Sequence, residues 1–552
     1  MTENASGRSL ARSSAVMASG TIVSRITGVL RDVAAAAALG FYLVSDAFSL
    51  GNSLPTIVYI LIIGGALNAV FIPQLVRRMS EDEDQGKAYA DRLITLIVSV
   101  LLLLSILAVL AAPLIVDLYT PADYPTNEFD LAVAFARLCL PQVLFYGIYS
   151  ILGQVLNARG RFGAPMFAPI ANNVIAIATF LLFIAVAGTS AAADGILTTQ
   201  QILILGIGTT LGVISQAVIL FPVLRRAGFR WRPRFDWKGA GLGKAGGLAM
   251  WTIGLVLINQ ATYVVITRLA TQANVDAAAA GTVAAGLTTY QKAHLVFMLP
   301  HSVITISIVT AMLPALSRIA HAGDLRQVGS DIGTTMRTVA ALIVPIAAVL
   351  FVTGSDLSIL LFGYGAATPE QASLMGEIVS MFMIGLLPFT LFYVLLRGYY
   401  AMEDTRTPFY ITVGLSAFWL ITVVPLFEVA PAGGAQVAMI ALTYSLSYWV
   451  GLALAWVLLA RRVGGVDSGH TIRSLSRIGV AGLVSLGLMI GTHTILGRIF
   501  SAQLPGDKLA VLLILVVVGA VGVASYWAVA WALRIKEVSA VTKLFRRRVR
   551  QP

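Results

Sequence analysis

Residues 509–533 read LAVLLILVVVGAVGVASYWAVAWAL, a run without one charged side chain. A helix rises about 1.5 Å per residue, so a run of this length crosses a hydrocarbon core that needs about 20 residues. Outward from it, apolar blocks recur at 93–116, 199–224, 332–353 and 409–427. The whole chain of 552 residues is 58% hydrophobic and only 12% charged, with mean hydropathy +0.86. A soluble domain carries roughly twice that charged fraction, so too little polar surface remains to cover a soluble particle. Backbone groups in lipid need internal partners, which makes the spans helices. A barrel would need alternating segments of about 10 residues, and the chain has none. The composition therefore specifies an all-α polytopic membrane protein.

Hydropathy and length give about 14 transmembrane helices. They run approximately over 13–39, 45–76, 89–118, 129–157, 165–188, 199–225, 246–270, 283–317, 331–354, 373–401, 408–429, 433–460, 476–497 and 509–534. Basic residues mark every second connection: Arg77 and Arg78, Arg159 and Arg161, Arg225 to Lys244, Arg318 and Arg326, Arg406, Arg461 to Arg477, and the tail KLFRRRVR. The alternate connections hold acids such as Asp117, Asp123, Glu128, Asp194 and Asp276, with Arg498 and Lys508 as exceptions. By the positive-inside rule both termini are expected in the cytoplasm. The net charge of +12 is then a membrane signature rather than a nucleic-acid one, and anionic lipids are the partners expected at the basic loops and tail. Cys139, the one cysteine, reads as a small buried hydrophobe. The first residues do not resemble a secretory leader, because a long span with Arg25, Arg31 and Asp32 follows them directly.

The sequence repeats itself. GGALNAVFIPQLVRR (64–78) resembles TISIVTAMLPALSRI (305–319), and VLNARGRFGAPM (155–166) resembles GYYAMEDTRTPF (398–409). Pro73 pairs with Pro314 and Pro165 with Pro408, each at an offset of roughly 240 residues. An even number of spans separates the copies, so the two halves run parallel, related by an axis along the membrane normal. The expected organisation is an N-lobe over 1–238, a C-lobe over 239–462, each of six helices in a parallel pseudo-twofold repeat, and two C-terminal helices with a basic tail over 463–552. Two such halves are expected to enclose a cavity and to rock about it.

Charges inside spans carry the functional signal, because each costs several kcal/mol unless it faces a partner or water. SRITGVLRD (24–32) puts Arg25, Gly28 and Asp32 on one helical face with Arg31 beside it. One reading is an ion-pair network that locks helices together; the other is a cationic site for an anionic substrate. The second is preferred for Arg25 and Arg31, because the guanidinium fork matches phosphate, with Asp32 orienting them. Asp46 opens the second span, where an acid suits a helix N-terminus as a cap, with gating as second choice. In YQKAHLVFMLPH (290–301), Lys292 is the better substrate contact and His294 the packing or gating residue. Arg397 is placed to snorkel, Arg137 is open between cavity and interface, and Asn172, Asn173, Asn259 and Gln260 are expected to bond across helices.

GLGKAG (241–246) matches a dinucleotide fingerprint but follows no strand, and its Gly-Lys lacks the Ser or Thr of a phosphate loop. No metal-ligand spacing and no nucleophile motif is present, so no enzyme, no metal and no cofactor is expected.

The run SRITGVLRD, then SDAFSLGNSLP, then GGALNAVFIPQL and GQVLNARGRFGAPMFAPIANN resembles the MurJ/MviN family, with a weaker match in MLPHSVITISIVTAMLPALSR and YYAMEDTRTP. These are lipid II flippases of the multidrug/oligosaccharidyl-lipid/polysaccharide exporter superfamily. The resemblance implies two six-helix lobes plus two helices, a cationic cavity for pyrophosphate and sugars, and a groove for the polyprenyl tail. By motif it places family functional positions on Arg25, Arg31, Asp32 and Asp46. It implies an undecaprenyl-pyrophosphate-linked substrate, the bacterial cell membrane, and wall-synthesis proteins as possible partners. Two family arginines are missing: Tyr59 and Ile60 stand after the second-span motif, with Thr56 for its Asn, and the family's Asp-Arg in the eighth span falls on His294 and Leu295. Lys292, one turn earlier, is the proposed substitute. No acidic sodium site stands out, so coupling to the membrane potential or to a monovalent cation is left open. The alternatives are an exporter of drugs or of another polyprenyl-linked glycan, and a membrane scaffold for wall synthesis.

Overall fold

The computed structural model describes residues 2–61, 84, 86–236, 246–500 and 507–538, with side chains from residue 19 onward except those of 246–249. The first repeat copy at 64–78, most of GLGKAG and the tail KLFRRRVR lie outside these residues.

The described helices are α1 (Thr2–Leu39), α2 (Leu43–Tyr59), α3 (Lys87–Leu110), α4 (Ala112–Tyr119), α5 (Thr126–Cys139), α6 (Gln142–Ala158), α7 (Gly163–Ala187), α8 (Thr199–Val218) and α9 (Leu220–Arg226). They continue with α10 (Gly246–Ala280), α11 (Leu287–Pro300), a π-turn (His301–Thr305), α12 (Ile306–His321), α13 (Leu325–Phe362) and α14 (Pro369–Ala401). Last come α15 (Arg406–Val429), α16 (Gly434–Val463), α17 (Ser468–Ile499) and α18 (Lys508–Ala532). Among the described residues, 12 stretches are long and apolar enough to cross a membrane, and they coincide with spans 3 to 14 of the sequence reading. α1 and α2 stand where spans 1 and 2 were expected, and part of each span lies outside the described side chains or backbone.

Proline divides several spans that hydropathy reads as continuous. Pro113 sits in the first turn of α4, so span 3 breaks at Ala111. Pro141 separates α5 from α6, and Pro300 ends α11 at the π-turn. Each removes an N–H from the ladder and crowds the preceding turn. In the opposite direction, α13 runs on past the expected end of span 9 at residue 354, through a kink at Thr353, to Phe362. That extension lifts Asp356 out of a loop and into a helix.

The chain divides into two compact units, residues 1–272 with 365–367, and residues 273–364 with 368–552. In the first, α1 packs on α7, α2 on α5, and α7 on α8. In the second, α13 and α14 pack together, α14 on α16, and the pair α17–α18 on α13. α18 shows what solvent these units are built for. Val511, Ile514 and Val518 are fully buried, while Leu509 is 72% and Val516 60% exposed. A helix apolar on all sides, with half of that surface outward, is solvated by lipid. Close helix approach uses small residues: a Cβ on Gly354 of α13 would lie 2.7 Å from the Gly376 carbonyl of α14.

The internal repeat is visible in local geometry. α6 and α14 end in the same turn. Gly160 N–H donates to Asn157 O (3.0 Å) and Arg161 N–H to Leu156 O (2.8 Å). Glu403 N–H donates to Tyr400 O (3.1 Å) and Asp404 N–H to Tyr399 O (2.9 Å). Pro165 and Pro408 are each the third residue of the next helix. Asp404 then accepts from Thr407 N–H (2.9 Å) and Thr407 Oγ1 (2.7 Å) and pairs with Arg462. Burial alone would raise its carboxyl, but Thr407 and Arg462 hold it below the usual carboxylate range. The turn needs a left-handed residue, Gly160 at φ 71° in one copy and Glu403 at φ 57° in the other. A side chain there is strained by about 1 kcal/mol. The pair Glu403–His321 at 3.4 Å is exposed and returns little. Glu403→Gly is therefore expected to stabilise the purified protein by about 1 kcal/mol, read as a higher melting temperature in detergent. A lower one would refute the strain argument.

Candidate functional site

In the first unit the membrane-depth charges are organised by one asparagine. Asn173 of α7 donates through Nδ2 to Ser24 O and to Thr27 Oγ1, both at 3.0 Å. Its Oδ1 accepts from Arg31 Nη1 at 3.3 Å. Arg31 Nη2 also reaches both oxygens of Asp32, at 3.3 and 3.4 Å. Asp32 is buried and Arg31 half-buried. The face of α1 that meets α7 is thus Ser24, Thr27, Gly28 and Arg31, and a Cβ on Gly28 would lie 3.7 Å from Asn173 Nδ2. Arg25 stays exposed on the neighbouring face. Helical spacing puts Arg25, Gly28 and Asp32 on one face with Arg31 beside it; the fold makes Arg31 the bonded arginine. A guanidinium offers five N–H donors, more than Asn173 and Asp32 take up. The result is a cation fixed in orientation and able to receive an anion.

Asp46 is 1% exposed and is not the N-cap residue of its helix. The N-cap of α2 is Tyr42, and Asp46 N–H donates back to Tyr42 O at 3.1 Å. The chain enters the helix earlier than its polarity suggests, so the acid stands one turn inside, where the helix dipole still favours it. Outside the spans, burial pushes the Tyr124 phenol well up, and Asp46 and Glu128 add to it.

The second unit holds Lys292 half-buried on α11, and a column of aromatic rings around His294. His294 stacks on Tyr290 (6.1 Å, 8°) and meets Phe382 (5.5 Å) and Tyr444 (5.8 Å) edge-on. The packing role suits it. Below, His301 is 1% exposed and lies edge-on to Phe389 (4.6 Å) and Tyr393 (4.8 Å). Arg397 does not merely snorkel: its guanidinium sits 4.0 Å from the Tyr393 ring centre and 5.5 Å from that of Tyr400. The sequence reading saw no aromatic grouping, yet α11, α14 and α16 assemble one.

Three further polar groupings were missed. Arg337 of α13, 7% exposed, bonds Thr471 Oγ1 (2.8 Å) and Thr334 Oγ1 (3.0 Å) and pairs with Asp467 (3.3 Å) and Glu537 (3.1 Å). Asp356 of α13 accepts or shares a proton with His493 of α17 at 2.9 Å. Lys508 Nζ donates to Ile359 O (2.8 Å) and Gly363 O (2.6 Å) and lies 3.9 Å from the Tyr364 ring centre. As expected, Asn172 bonds across helices, to Gln216 at 3.3 Å, while Arg137 is exposed. An apolar groove of about 400 Å³ runs between α16 and α17, lined by Trp449, Trp456, Ile472 and Leu475.

The family model described as lipid II flippase MurJ matches residues 35–515. The chain belongs to the MurJ family. A probable lipid II flippase MurJ of Rhizobium meliloti (strain 1021) is 29% identical over 480 residues, 85% of this chain and 84% of that one. Another of Vibrio cholerae is 26% identical over 554 residues, covering 97% and 98%. The fold is similar to a solved lipid II flippase MurJ in an inward closed conformation, with a TM-score of 0.71 at 19% identity over 94% of this chain and 98% of that one. It is also similar to an inward-facing multidrug resistance MATE transporter of the MOP superfamily, with a TM-score of 0.62 at 11% identity over 82% and 98%. Tyr59 lies 6.2 Å from the Tyr146 ring and Ile60 is 38% exposed.

Proposed function

We propose that this protein is a flippase that moves lipid-linked peptidoglycan precursor, lipid II, from the inner to the outer leaflet of the bacterial cell membrane by alternating access. The observation that carries the proposal is Arg31, half-buried in α1 and held in one orientation by Asp32 and Asn173, beside the exposed Arg25. These arginines pair with the pyrophosphate and Asp32 orients them; Lys292 is a separate candidate cation in the second unit. Gly28 keeps α1 close to Asn173. The undecaprenyl chain stays in lipid along the last two helices. Both termini lie in the cytoplasm, and basic loops meet anionic headgroups there. The protein is a carrier rather than an enzyme and uses no cofactor. The membrane potential helps reset the empty carrier, since moving one charge through it is worth about 2.3 kcal/mol per 100 mV.

The test is depletion of the protein in its source cell with lipid II quantified in each leaflet. A rise confined to the inner leaflet is expected. Unchanged amount and sidedness, with no second flippase compensating, would overturn the proposal in favour of an exporter of another substrate or a scaffold.

A further inference from the structure

We propose that the basic pocket where α17 begins and α18 ends binds the phosphate of an anionic phospholipid headgroup. This site is separate from Arg25 and Arg31 and does not rest on the flippase reading. The pocket has a volume of about 200 Å³ and is lined by His470, Arg473, Arg477, Arg534, Lys536 and Glu537, with Ser474 and Ile535 between them. His470, Arg473 and Arg477 stand at i, i+3 and i+7, one face of α17. Arg473 and Arg477, four residues apart, are like charges that repel unless an anion joins them. The segment after α18 adds two cations, Arg534 and Lys536, against one acid, Glu537. After α18, Arg534 takes a left-handed backbone at φ 53°. That turn is closed by Arg534 N–H to Trp531 O (3.0 Å) and Ile535 N–H to Ala530 O (3.0 Å), and it buries Ile535 to 3% exposure. A residue held in this region persists only where the surroundings enforce it, and such strain gathers at binding sites.

The acids nearby are engaged elsewhere. Glu537 lies 3.1 Å and Asp467 3.3 Å from the buried guanidinium of Arg337. His470 approaches Asp467 at 3.6 Å. Arg473, Arg477 and Arg534 are exposed and converge on the pocket.

The depth of the pocket selects a lipid over a soluble anion. Trp531, three residues before Arg534, is 82% exposed, and Ile472, beside Arg473, is 55% exposed. Exposed tryptophan at the end of an apolar helix marks the interfacial belt, and the headgroup phosphates lie at that level. Arginines on a rigid helix face then meet a phosphate with two or three charge-assisted hydrogen bonds.

The test uses the full chain, purified, delipidated in neutral detergent and titrated with phosphatidylglycerol or phosphatidylcholine under native mass spectrometry. Wild type is expected to retain phosphatidylglycerol at least about tenfold better, the range of one or two charge-assisted hydrogen bonds. The triple variant R473Q/R477Q/R534Q is expected to lose that preference without a lower melting temperature. The control R137Q/R498Q removes two exposed charges outside the basic loops and tail and is expected to keep it. Retention by the triple variant, or equal loss in both, would overturn the proposal. Displacement of the lipid by millimolar inorganic phosphate, which then binds alone, would assign the pocket to a soluble anion and overturn it equally.

Discussion

Replacing Arg31 by alanine is expected to abolish rescue of a depleted strain while leaving the protein at its normal level in the membrane. Among the described side chains of α1, Arg31 is the one arginine held from two directions, by Asn173 at 3.3 Å and by Asp32 at 3.3 Å. Two fixed neighbours leave the fork little rotamer freedom to lose when an anion arrives, so binding keeps more of the interaction energy. Removing a charge-assisted contact to a partly desolvated phosphate costs about 1.5–3 kcal/mol, a loss of roughly tenfold to a hundredfold. Arg31→Lys keeps the charge but not the fork and is expected to fall between. Asn173→Ala is expected to impair transport as well, because the same side chain ties α1 at Ser24 and Thr27. The readout is inner-leaflet lipid II at matched expression. Normal lipid II sidedness with Arg31→Ala would sink the arginine site, even if the flippase assignment survived.

The spans were legible because lipid demands long apolar runs, and no other solvent does. The breaks within them were legible too, in Pro113, Pro141 and Pro300, but hydropathy averages over a proline. Arg31 and Asp32 declared themselves as charges in a span. Their partner Asn173 did not, since it lies 142 residues away and one side-chain amide in an apolar helix has many uses. Arg337 was harder still. It sits inside the block 332–353, and its partner Asp467 lies 130 residues on, in what reads as an ordinary loop. The pair Asp356–His493, 137 residues apart, needed α13 to continue past Thr353 before Asp356 had a place on a helix. Local charge in a span is readable; the long-range partner that decides whether that charge is a lock or a site is not. Asp46 adds the converse case, where polarity marked the right neighbourhood and the wrong helical position.

The repeat sharpens that distinction. Its two described turns keep the same hydrogen bonds although Gly160 and Glu403 share nothing but backbone conformation. The units have diverged instead in what they place at membrane depth. The first carries Arg25 and Arg31, while the second carries Lys292 with the rings around His294.

Arg337→Ala is expected to be the most destabilising single substitution among the residues described. Its guanidinium is 7% exposed, donates to Thr471 and Thr334, and pairs with Glu537 and Asp467. Alanine would leave Glu537, with a side chain 13% exposed, without its counter-charge. Breaking a buried pair on one side costs about 3–5 kcal/mol. Asp467 is half-exposed and recovers much of its hydration, which places the expected loss near the lower end. The effect is local as well. Arg337 ties the start of α17, through Asp467 and Thr471, to the segment after α18, through Glu537, so both ends of the last helix pair loosen together. A lower melting temperature is expected, with early proteolysis near Asp467 and Glu537. The double variant R337M/E537M removes both charges and is expected to regain most of the loss, because an apolar pair of similar volume replaces an ion pair at little cost. If Arg337→Ala melts with wild type, the network is an ornament of the surface. If the double variant falls further than the single one, the guanidinium stabilises through Thr471 and Thr334 rather than through charge.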